Sequence, residues 1–92
     1  MQTEIAETIG LKALAWLAGN EELLPVFLGA TGASLSDVRE RAGDADFLAA
    51  VLDFLSMDDA WVSAFCETEG LSCDQPMAAR QALPGGALPN WT

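Results

Sequence analysis

Histidine and tyrosine are absent from this sequence, and the basic residues are only Lys12, Arg39, Arg41 and Arg80. Without histidine the chain lacks the commonest general base and the commonest transition-metal ligand together. Four bases cannot form the Lys and Arg clusters that phosphate backbones or anionic lipid require, so neither nucleic acid nor membrane is an expected partner. The only cysteines are Cys66 and Cys73, and their spacing is not C-x-x-C. No apolar run approaches the ~20 residues of a membrane-spanning helix. No basic segment followed by an apolar one suggests a secretion signal. These features together make a reducing cytoplasm the expected location. P-loops, G-x-G-x-x-G turns and strand-like alternation are missing as well.

What is present is acid and apolar bulk. The formal charge is −10, yet 51% of the residues are hydrophobic, which argues for a folded chain rather than a disordered one. Ninety-two residues suffice for one core. The most apolar stretch is Phe47 to Leu55, in which Phe47, Leu48, Val51, Leu52 and Leu55 make a broad helical stripe. A helix this apolar has to be covered by others.

Stop and start signals divide the rest into further helices. Glu4 to Ala18 ends at Gly19-Asn20, and Asn20 can cap a second helix over Glu21 to Ala30 that Gly32 stops. Ser34 with Asp37 reads as a capping box for a short third helix closed by Gly43. Asp44 caps the central helix over 45–57, and Asp58 caps a fifth that Gly70 stops. Ser72 with Gln75, and Pro76 in the first turn, opens a sixth that ends at Leu83-Pro84-Gly85-Gly86. The expectation is an all-α fold, a single compact bundle of about six helices over residues 1–86, followed by a tail over 87–92.

A displacement of 38 residues lays residues 9–38 on 47–76 without a gap. Leu14, Leu17, Phe27, Gly32 and Ser34 meet Leu52, Leu55, Phe65, Gly70 and Ser72 as identities, and caps, stops and apolar faces coincide. This predicts two pseudo-symmetric three-helix units whose long helices cross near a twofold axis.

Few residues invite a chemical reading. The repeat sets Cys66 on Leu28 and Cys73 on Leu35, so both read as small core hydrophobes. The carboxylate pairs fall where helix caps are expected and none forms a calcium loop. Asp53 is the one charge in the central run and stands opposite Ala15 in the repeat. Its register places it on a solvated strip, with a buried pairing to an arginine as the alternative. Residues 23–42 have helix-turn-helix spacing, but Asp37 and Glu40 among Arg39 and Arg41 disfavour a DNA-reading role. Trp91 in the tail and Trp61 on the fifth helix are, with Asp53, the candidate interaction residues.

The pattern resembles a family of small alphaproteobacterial proteins classed as domain of unknown function 3572. Ala13-Leu14-x-Trp16-Leu17, Glu22-Leu23-Leu24-x-x-Phe27-Leu28-x-x-Thr31-Gly32, Phe47-Leu48-x-x-Val51-Leu52-Asp53-Phe54-Leu55 and Leu83-Pro84-Gly85-Gly86 bear the resemblance. It implies a small helical bacterial protein and supplies no catalytic residues. The functional expectation is an acidic protein-interaction or regulatory module, without catalytic activity or cofactor; its partner protein is unknown, and the acidity is compatible with a basic one or simply with like-charge repulsion that keeps the protein soluble. A carboxylate-based metal-dependent enzyme and helix-turn-helix-like nucleic-acid binding are the alternatives.

Overall fold

A computed structural model describes residues 1–83, and the chain there forms six α-helices with no strand among the described residues. They are α1 (Thr3–Ala18), α2 (Leu23–Thr31), α3 (Leu35–Arg41), α4 (Ala45–Leu55), α5 (Asp59–Glu69) and α6 (Gln75–Ala82). The tail and Trp91 lie outside the described residues, as do Pro84, Gly85 and Gly86.

The core is assembled on α4, which buries Phe47, Leu48, Ala49, Val51, Leu52, Phe54 and Leu55. Against it lies α1 with Ala6, Ile9, Gly10, Ala13, Leu14 and Leu17. Helix α6 packs on both of them, burying Pro76 and Ala79. From the flanks, α2 inserts Phe27 and α5 inserts Phe65 and Cys66. Helix α3 buries nothing fully, and Leu35 at its start is 57% exposed.

Most ends follow their local chemistry. Ser34 and Asp37 form the reciprocal capping box, with both side chains accepting from backbone N–H groups. The Asp58 carboxylate accepts from the Ala60 amide at 2.8 Å. Gly32 and Gly70 end α2 and α5 in the left-handed region, at φ 74° and 70°, where a side chain would be strained.

Several ends differ from the sequence reading, among them that of α4, which stops at Leu55 and not at 57. Asn20 Oδ1 accepts from the amides of Glu22 and Leu23, so its turn takes up Glu21 and Glu22 and α2 starts later. Asp44 makes no cap and instead pairs with Arg41 at 3.6 Å. Ser72 does not box with Gln75, because its hydroxyl donates to Asp74 at 2.7 Å. Pro76, buried in the first turn, fixes the start of α6 without that box.

Candidate functional site

A cleft of about 620 Å³ lies between the end of α1, the α1–α2 turn and the end of α5. Trp16, Asn20, Glu21, Glu22, Thr68 and Glu69 line it, and no basic residue does. Trp16 stands at the edge of the α1 apolar stripe and is half-buried, its ring meeting Phe65 edge-on at 6.1 Å and 68°. Asn20 is committed to capping, which holds the turn bearing Glu21 and Glu22 in place.

The electrostatics of this cleft have one sign. Helices α1 and α5 both end there with no basic residue in their last turns, so their negative ends are unopposed. The positive end of α2 is faced by Glu21 and Glu22. The ion pairs among the described residues, Arg41–Asp44 and Arg80–Asp53, lie elsewhere and neutralise none of the cleft carboxylates. An arrangement of this kind attracts a cation, and Trp16 is among the residues that line it.

The candidate residues named from sequence are not in this cleft. Trp61, on α5, is half-buried and stacks on Phe54 with centroids 4.9 Å apart and planes at 22°. Asp53 accepts a hydrogen bond from Arg80 Nε. The Asp53 side chain is 54% exposed and that of Arg80 only 21%, so the carboxylate does lie on a solvated strip and its partner reaches out from α6. Arg41 sits over the Phe47 ring at 5.1 Å while it pairs with Asp44.

The expectation that both cysteines are core residues fails for one of them. Cys66 is buried, whereas Cys73 is exposed. The reason is visible at its repeat counterpart Leu35, which is itself exposed: this position opens the last helix of each unit outside the core. Burial pushes the Cys66 thiol above its ordinary pKa, and the neighbouring Cys73 and Asp74 push it further. Among the described residues no three Cys, Asp or Glu side chains converge as a metal-binding group.

Trp16 was missed because its spacing fits an inward face. The signal that could have found it is the repeat, which sets small Leu23 where the other half has Trp61.

Among the described residues no helix is long and apolar enough to cross a membrane. Neither a curated protein nor a solved structure matches the chain. The model of one family, described as "Protein of unknown function (DUF3572)", matches residues 3–86, nearly all of the chain, and to that family the protein belongs.

Proposed function

We propose that the protein is a binding module that takes an arginine-bearing basic segment of a partner protein into the cleft at Trp16. The observation that carries this reading is the cleft's lining: an indole ringed by Glu21, Glu22 and Glu69 with no base among them. Arginine suits it better than lysine because a planar guanidinium stacks on an indole while donating to carboxylates at its edge.

The second half of the chain supports the same choice of occupant. Under the 38-residue displacement Trp16 corresponds to Phe54, Ala15 to Asp53, Leu23 to Trp61 and Ala42 to Arg80. In the second half the aromatic face is stacked by Trp61 and the neighbouring carboxylate is held by Arg80. In the first half Leu23, Ala15 and Ala42 stand at those positions, and the cleft opens beside Ala15 and Trp16.

The affinity is modest and sensitive to salt. One stacked guanidinium supplies about 0.5–1 kcal/mol, and each partly exposed carboxylate contact about 0.2–1 kcal/mol. Together they give about 2–3 kcal/mol, a factor of roughly 30–150 in affinity from this one side chain.

Titration of the full chain with a labelled arginine-rich peptide, a lysine version and a glutamate version tests the reading. The arginine peptide should bind most tightly, and Glu22→Gln with Glu69→Gln should weaken it roughly tenfold. Glu4→Gln, a charge change elsewhere, should leave it nearly unchanged, and Trp16→Phe should narrow the gap between arginine and lysine. Equal losses from the cleft and remote substitutions would reduce the interaction to bulk charge and refute the site.

A further inference from the structure

Cys66 and Cys73 stand on either side of the Gly70 turn, one facing the core and the other facing solvent. The Leu71 amide bonds back to the Cys66 carbonyl at 2.9 Å, which folds the chain tightly over the end of α5. Cys66 Sγ then donates to the Ser72 carbonyl at 3.5 Å. That oxygen belongs to the peptide group leading directly into Cys73, so Cys66 Sγ is within about 6 Å of the Cys73 Cα by covalent geometry. Cys73 is close enough to add to the upward shift of the Cys66 thiol.

A disulfide needs Cα atoms about 4.4–6.8 Å apart and side chains able to turn toward each other, and the contact of Cys66 Sγ with the peptide group leading into Cys73 brings the two residues into that neighbourhood. Only two residues, Leu71 and Ser72, separate Gly70 from Cys73, and the left-handed glycine already brings them back over the helix. Cys73 also borders a separate cleft of about 210 Å³ with Asp59, Val62, Pro76 and Met77, which gives a small molecule a route to its sulfur.

We propose that Cys66 and Cys73 form a reversible disulfide site, oxidised by a low-molecular-weight disulfide, that staples the end of α5 to the start of α6. The exposed Cys73 thiolate attacks one sulfur of the small disulfide, forming a mixed disulfide and expelling one small thiolate, which takes up a proton. Cys66 loses its proton to solvent and attacks the Cys73 sulfur, expelling the second small thiol. Two protein thiols are thereby oxidised by two electrons, and one small disulfide is reduced to two thiols. The order follows from access: Cys66 is buried and held protonated, so it resolves and does not initiate. Asp59 and Asp74 near the pair, in a chain of charge −10, favour a cationic disulfide over an anionic one.

The test uses the reduced full chain, cystamine and oxidised glutathione as probes, acid quenching and intact-mass analysis after alkylation. The expected product is a monomer that has lost both alkylatable thiols and retains no adduct, formed several-fold faster with cystamine. Cys66→Ala should stop at one cysteamine on Cys73, and Cys73→Ser should leave Cys66 unreactive in the folded chain. Because Cys73 is exposed, Cys73→Ser reports on the chemistry even if the buried substitution impairs folding. A wild-type chain that accumulates the stable mixed disulfide, or that links only to second copies of itself, would overturn the proposal.

Discussion

Replacing Gly10 with alanine tests the centre of the fold. Gly10 is fully packed in the middle of α1, where an alanine would ordinarily improve helix stability by about 0.8–1.0 kcal/mol. Here an added Cβ would lie 2.9 Å from the Cβ of Leu48 and 3.5 Å from its Cγ. Carbon atoms prefer about 3.5–4.0 Å, so α1 and α4 must separate by roughly 0.6 Å or more. Overpacking of this kind costs about 1–3 kcal/mol. The upper part of that range applies, because both clashing atoms are fixed to helix backbones and neither can rotate away. Subtracting the propensity gain leaves a net loss of about 1–2 kcal/mol, or a fall in Tm of roughly 4–16 °C for a domain this size. Gly29, within α2, supplies the control, since nothing lies within 4 Å of its added Cβ. Gly29→Ala should therefore stabilise by about 0.5–1 kcal/mol. Urea unfolding followed by far-UV circular dichroism measures both. Leu48→Ala combined with Gly10→Ala should give little rescue, since alanine keeps the offending Cβ. If Gly10→Ala stabilises the chain as Gly29→Ala does, the close α1–α4 approach is wrong.

Two further outcomes are expected. The raised pKa of Cys66 means the folded state holds this proton more tightly than the unfolded state, so its contribution to stability is complete below the usual thiol value near 9.0. It is lost as pH rises from there through the raised value; urea midpoints should fall across that window, and Cys66→Ala should flatten this part of the slope. Arg80→Ala should cost about 1–2 kcal/mol, mostly salt-independent, because its stem is covered between helices, while Asp53→Asn at the exposed end should cost no more than ~1 kcal/mol and be weakened by salt. Thermal melts at low and high salt separate the two.

The helices were readable because their ends announce themselves locally. Ser34 with Asp37, Asn20, Asp58, Gly32 and Gly70 each act within a few residues of their own position, and sequence alone contains that information. Asp44 and Ser72 failed as caps for a related reason. Each had a competing partner nearby, Arg41 and Asp74, and propensity does not say which bond wins. The cleft was illegible because it depends on what does not fill a space. Trp16 has core spacing, and its place at the cleft depends on how the α1–α2 turn and the end of α5 come together. Cys73 was misplaced by treating a repeat position as buried when its counterpart Leu35 is not.

The packing also bears on the duplication. Gly10 and Leu48 correspond under the 38-residue displacement, and they touch each other at the α1–α4 crossing, as residues beside a twofold axis must. The edge-on pair Trp16–Phe65 corresponds to Phe54–Phe27, and their interplanar angles are 68° and 73°. Both observations support a reading in which each unit lends its second helix to cover the other's first. The departures are equally specific. Helix α6 packs on both long helices, whereas α3 makes no comparably extensive contact among the described residues. The second half stacks Trp61 on Phe54 and pairs Arg80 with Asp53; the first half has Leu23, Ala42 and Ala15 at the corresponding positions. Under the proposed reading the binding site therefore joins the halves, with Trp16, Glu21 and Glu22 from the first and Glu69 from the second.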